Sequence, residues 1–208
     1  MFFARTTMMG APKKTMSFTF SGTTKPAGLT DIALTTGAGG TTVASGILRE
    51  GNSSTSNGTY FTLTQWGFQM ETPIYISTVT NGGLSSTDRG IGAAMSDATG
   101  SKVIYCLFHG NSQPAAIETH ISGVRASRAT LSGNFIAAGN TISLVPSVSG
   151  GIYTYTVHKN GSPIALSWTD SGGLIGTPGP YPGAVFKHIY SGGQFGSPGV
   201  SGYNVADR

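Results

Sequence analysis

The sequence predicts an all-β fold: two packed antiparallel sheets, a sandwich or jelly roll, preceded by an extended N-terminal arm. Three observations carry that expectation. Apolar and polar residues alternate with a period of two in nearly every segment, the pattern of a strand with one face packed and one wet. Turn residues return at roughly 8–12 residue intervals, the spacing of a sandwich or jelly roll. The composition suits short strands and tight turns, with 32 glycines in 208 residues, 38% hydrophobic and only 10% charged. Long helices would need windows rich in Glu, Lys, Leu and Ala together, and none is present. Scarce charge also argues against global disorder.

Residues 1–14 read as the arm and 15–208 as one sandwich domain. The arm mixes Phe2, Phe3, Met8 and Met9 with Arg5, Lys13 and Lys14, and Gly10-Ala11-Pro12 breaks any regular element in it. Its apolar residues suit packing on another chain. Met16, Phe18 and Phe20 then alternate with Thr and Ser up to Ser21-Gly22, giving the first strand. Ile32 and Leu34 mark a second, and Thr42 to Arg49 reads as a third with Gly46 as a bulge. Gly51 to Thr59 reads as a polar loop and Tyr60 to Gln65 as a strand. Strands are expected at Ile74–Val79, Gly90–Ser96, Val103–His109, Ala115–Ile121 and Thr141–Val145.

The plainest signal lies in Ile152 to Asp170. Tyr153, Tyr155 and Val157 alternate with polar residues, and Ile164, Leu166 and Trp168 do so on the return. Asn160-Gly161 between them supplies the positive φ angles of a two-residue hairpin turn. The tyrosines, Leu166 and Trp168 are expected between the sheets. Beyond Gly172 the chain is crowded with Gly and Pro, with one strand surviving around Ala184, Phe186 and His188.

The net charge of +4 arises in the first 25 residues, where Arg5, Lys13, Lys14 and Lys25 meet no acid. Four scattered cations without a recognition motif do not predict specific nucleic-acid binding. A docking arm on an acidic neighbour fits them as well. The lone Cys106 excludes an internal disulfide and reads as a buried small hydrophobe. The N-terminus has no signal-peptide h-region, and no run reaches the ~18 apolar residues of a membrane span.

No constellation predicts a catalytic site, a metal site or a cofactor. His109, His120, His158 and His188 stand apart and read as surface or strand-edge residues. The eight acids show no local pairing, no Gly-x-Ser-x-Gly elbow follows a strand, and the Gly-rich runs open no helix. Tyr181, between two prolines, and Phe195, among glycines, stand in loop-like sequence that suits a ligand or partner contact, or anchoring back on the core.

The segments Tyr155-Thr156-Val157-His158-Lys159-Asn160-Gly161, Thr169-Asp170-Ser171, Pro182-Gly183-Ala184-Val185-Phe186 and Val205-Ala206-Asp207 follow one another in the C-terminal half. In that order they resemble the jelly-roll domains in minor tail proteins of phages that infect actinobacteria. The resemblance implies a concanavalin-like sandwich carried on a virion, without enzymatic activity. The expected partners are other virion proteins, further copies of the chain in a trimer or ring, and host cell-wall glycan. The protein would be made in the host cytoplasm and reside in the virion tail. A capsid decoration protein, or a carbohydrate-binding or glycan-depolymerising module of the same fold, are the alternatives.

Overall fold

The computed structural model describes residues 15–36, 38–50, 58–66, 73–81, 90–109, 113–133, 137, 139–190 and 199–207. The expected arm, residues 1–14, lies outside them, as does Phe195. Among the described residues fifteen strands follow one another: β1 (Thr15–Thr19), β2 (Leu29–Ala33), β3 (Thr41–Ala44), β4 (Ile47–Glu50), β5 (Gly58–Trp66), β6 (Pro73–Asn81), β7 (Gly90–Ser96), β8 (Lys102–His109), β9 (Ala115–Ile121), β10 (Val124–Leu131), β11 (Thr141–Ser149), β12 (Ile152–Lys159), β13 (Ser162–Thr169), β14 (Tyr181–Tyr190) and β15 (Gly199–Asp207).

They form two antiparallel sheets. The eight-stranded sheet runs β13-β12-β11-β6-β15-β4-β3, with β1 also paired to β15. The seven-stranded sheet runs β10-β9-β8-β7-β14-β5-β2. The last two strands therefore sit inside the sheets: β14 joins β7 to β5, and β15 joins β6 to β4 and β1.

Hairpin chemistry follows the sequence. Asn160 and Gly161 have φ of 53° and 79°, and Ser45-Gly46, Ser122-Gly123 and Gly150-Gly151 repeat the same pair of positive angles. These are the turns whose twist matches two antiparallel strands. Two corrections come from them. The strand expected from Thr42 to Arg49 is two strands, because Ser45-Gly46 is a turn and not a bulge. Ser122-Gly123 opens β10, VRASRATL, which lacks the apolar alternation that would announce it. A further strand, β15, occupies part of the Gly/Pro-rich stretch.

The main core lies between the sheets. Ile91, Met95, Ile104, Cys106, Ile117 and Phe186 of the seven-stranded sheet meet Leu48, Ile142, Leu144, Tyr155, Val157 and Leu166 of the other. Fully burying one such large side chain contributes about 1.5–3 kcal/mol. Tyr155 and Leu166 lie between the sheets as expected, and Tyr153 and Trp168 pack on the cluster from its margin. Tyr155 faces Trp168 across the β12–β13 ladder, the rings stacked at 5.8 Å and 15°. Cys106 is the expected buried hydrophobe, its thiol pushed up to about 12 by burial.

The Gly/Pro-rich connection from β13 to β14 is pinned at both ends. Asp170, buried, accepts the backbone N–H groups of Leu174, Ile175 and Gly176 at 2.8, 2.8 and 3.0 Å. Ile175 enters the main core. Gly179 lies against the end of β7, where a β-carbon would stand 2.1 Å from the Ser96 carbonyl.

Candidate functional site

The seven-stranded sheet has a second buried face, turned away from the main core. Phe61 and Leu63 of β5, Ala94 of β7, Val103, Tyr105 and Leu107 of β8 and Val185 of β14 fill it together with Leu34. Two contacts show that this face is rolled inward. The Arg125 guanidinium on β10 lies 4.6 Å from the centroid of the Phe61 ring on β5. Those strands are five steps apart in the sheet order, about 24 Å if the sheet were flat. No two side chains bridge that distance, so the sheet curls and brings β10 over β5. His120 on β9 likewise bonds the backbone of Leu34, one residue past β2. Gly92 helps the curl: a β-carbon there would lie 1.4 Å from the Cys106 carbonyl oxygen, and the β7–β8 ladder is interrupted between Ile91 and Ala94 with its register unchanged.

At the mouth of the roll stands a polar network built by three strands. Glu118 alternates onto this face from β9, between Ala116 and His120. Arg125, from the other arm of the β9–β10 hairpin, grips it through two parallel bonds, Nε to Oε2 at 2.8 Å and Nη2 to Oε1 at 2.9 Å. The Tyr105 hydroxyl, from β8, donates to Oε2 at 2.8 Å. The carboxylate is 4% exposed at its side chain and Arg125 43%, so a buried acid holds a half-exposed cation. Burial and then the Glu118 charge push the Tyr105 phenol well above its usual range, so it stays a neutral donor. The hydrogen bond from Arg125 to Glu118 raises the guanidinium further and keeps it charged.

Two histidines border the same face, and both overturn the surface reading: each is 4% exposed. His109 Nδ1 donates to the Pro114 carbonyl at 3.2 Å, which leaves Nε2 as the acceptor for Lys187 Nζ at 3.3 Å. Lys187 is also the ladder partner of Phe61. His120 is the ladder partner of Arg125, and its Nδ1 is buried with no hydrogen-bond partner. Burial, with the Arg125 charge adding to it and the Leu34 bond opposing, lowers the His120 imidazole below its ordinary 6.5.

Four acids have described side chains, and each already serves as an acceptor. Glu118 takes three donors and Asp170 three. Asp31 takes the Thr41 amide and hydroxyl, the Thr64 hydroxyl and Lys25. Asp97 takes five donors from Thr99, Ser101 and Lys102. Burial would raise the Asp97 carboxyl, but the bonds from Ser101 and Thr99 outweigh it and hold it below its ordinary range. Among the described residues no three His, Cys, Asp or Glu side chains gather to hold a metal ion.

Of the residues singled out in the sequence, Tyr181 proves to be a strand residue and not a loop ring. It opens β14, half-buried, in register with Ser96, whose hydroxyl donates to the Tyr181 carbonyl at 3.4 Å. Phe2, Phe3, Arg5, Met8, Met9, Lys13, Lys14 and Phe195 lie outside the described residues. Glu118, Arg125, Tyr105, Phe61 and His120 escaped the sequence reading. One cue was present, a single acid in the otherwise uncharged strand AAIETHI ahead of Ser122-Gly123.

No protein-family model matches the chain, and no curated protein sequence matches it. Solved structures match nearly its whole length. Lectin II from Ulex europaeus is 12% identical with a TM-score of 0.54, over 94% of this chain and 99% of that one. Lectin I from the same plant, in complex with the methyl glycoside of α-L-fucose, is 11% identical at 0.55, over 92% and 97%. Arcelin-5, a lectin-like defense protein from Phaseolus vulgaris, is 10% identical at 0.51, over 93% and 98%. Identities this low speak for the fold alone, and the fold is the concanavalin-like, lectin-like jelly-roll sandwich.

Proposed function

We propose that this chain is a non-catalytic recognition module of a virion. In this reading it is a minor tail protein domain that docks on neighbouring virion subunits through residues 1–14, assembles as a trimer or ring, and contacts host cell-wall glycan. The observation that carries the recognition part is the lectin-like sandwich, matched over 94% of the chain by a lectin. The virion part rests on the resemblance of the hairpin and the closing strands described above.

Absence of catalysis draws support from the state of the four carboxylates whose side chains are among the described residues. A glycan hydrolase needs one carboxylic acid free to give a proton and a second carboxylate facing the same bond. Asp31, Asp97, Glu118 and Asp170 each accept three to five hydrogen bonds from the protein itself. Incubation with host cell-wall polysaccharide tests the whole reading. The protein should co-sediment with the polysaccharide and release no reducing sugar. Sugar release lost on replacing a carboxylate would overturn the non-catalytic part, and failure to co-sediment would overturn the recognition part.

A further inference from the structure

We propose that the mouth of the rolled sheet, at Arg125, binds the oxyanion of an acidic saccharide, a carboxylate or a phosphate borne on a hydroxylated ring. This deepens the glycan-recognition reading and rests on it. Four observations converge on the spot.

Glu118 and Tyr105 are 3% and 0% exposed, yet both are spent on orienting one half-exposed guanidinium. A buried ion pair is a poor device for stability, since desolvation offsets most of its attraction. What the arrangement does supply is a fixed cation. Nε and Nη2 are engaged by Glu118 and the guanidinium carbon lies 4.6 Å from the Phe61 ring centroid, while 43% of the Arg125 side chain stays exposed. A guanidinium held in this way loses little further freedom when an oxyanion arrives.

The second observation is independent of the first. His120, directly across the ladder from Arg125, holds a buried acceptor nitrogen that no protein donor reaches. Orphaned buried acceptors are rare in folded proteins. A ligand hydroxyl, directly or through one water, supplies the missing donor.

Lys187 sets the sign of the ligand's charge. It adds a second cation to this face of the sheet, its Nζ 3.3 Å from His109 Nε2, while Glu118 is the carboxylate that offsets Arg125. An acceptor for a hydroxyl hydrogen beside a cation for an oxyanion describes an acidic sugar better than a neutral one. Edge position favours the same use, because β10 closes the sheet and Arg125 reaches solvent there.

Calorimetric titration of the full chain with methyl β-D-glucuronide, glucose 6-phosphate and methyl β-D-glucoside tests this, beside a panel of neutral oligosaccharides. One or both acidic probes should bind at least tenfold more tightly than the glucoside, and which of them does so separates carboxylate from phosphate. Arg125→Gln should remove that preference and Arg125→Lys restore part of it. Because Arg125→Gln leaves Glu118 without its partner, the Arg125 Nε–H NMR signal in the unaltered protein gives a second readout, and it should shift on adding the acidic probe. Equal binding of acidic and neutral probes, or an unmoved Nε–H signal, overturns the proposal. If neutral oligosaccharides bind and the acidic preference is missing, the recognition reading stands and this inference falls. If no saccharide binds, both fall.

Discussion

The two faces of the seven-stranded sheet are equally dry but differ in what fills them. The inner face meets the other sheet with aliphatic and aromatic side chains such as Ile91, Ile104 and Phe186. The outer face curls on itself around Phe61, Leu63 and Leu107 and adds Glu118, Tyr105, His120 and His109, all of them buried. Apolar packing tolerates rearrangement as long as volume is kept. A buried hydrogen-bonded network has one arrangement that satisfies it and many that leave a polar group stranded. The inner face therefore supplies most of the stability, and the outer face fixes the position of Arg125.

The largest effect should come from the position that lets the outer face curl. Gly92→Val places side-chain atoms where the Cys106 carbonyl lies, and no rotamer relieves a backbone overlap. Little soluble folded protein is expected, and a Gly92 variant with an unaltered melting temperature would break the curl argument. Next come two truncations of the same kind on opposite faces. Phe186→Ala and Phe61→Ala should each cost about 3–5 kcal/mol in chemical denaturation. They sharpen the contrast in another readout: Phe61→Ala should also free the Arg125 side chain, seen as faster exchange of its Nε–H, while Phe186→Ala should not.

Acid should weaken the outer face selectively. Burial lowers His120 below 6.5 in the folded protein, so below that pH the unfolded chain binds more protons than the folded one. The contribution is complete above about pH 6.5, is lost as pH falls toward the lowered folded value, and changes no further beyond it. The groups facing His120 are Arg125, which opposes a second positive charge, and Glu118, which is already taken by Arg125. Urea midpoints measured at pH 7.5 and 5.5 should differ less in His120→Gln than in the unaltered protein. The smallest effect is expected inside the main core. Tyr155 carries a buried hydroxyl without a partner, so Tyr155→Phe should be neutral or stabilise by up to about 1 kcal/mol.

Much of the sandwich was legible because period-2 alternation and turn residues act over short distances. The hairpin from Tyr153 to Trp168, with Asn160-Gly161 as its turn, emerges as expected, and β7 and β9 have the expected limits. β10 was missed because an edge strand packs little and needs no apolar stripe. Its two arginines and its register shift near Ser127 are what keep such an edge from pairing further. The candidate site was almost illegible for another reason. Tyr105, Glu118, Arg125 and Phe61 come from four strands, and their meeting depends on the curl of the sheet, which no local pattern encodes. The burial of His109 and His120 was hidden in the same way.

The interior placement of β14 and β15 bears on how the chain acquires its fold. Gln65 waits for Gly183, and Ile76 waits for Val205, so the pairings that make each sheet continuous span more than half the sequence. A nascent chain leaving the ribosome can form local hairpins such as β8–β9 and β11–β12, but neither sheet is whole until residues 181–207 have emerged. Contacts of such long range make folding slow, and until then the open edges of β5, β6 and β7 are exposed to other chains. The final acquisition of structure should therefore be a single late event, in which two strands thread both sheets together at nearly the same moment.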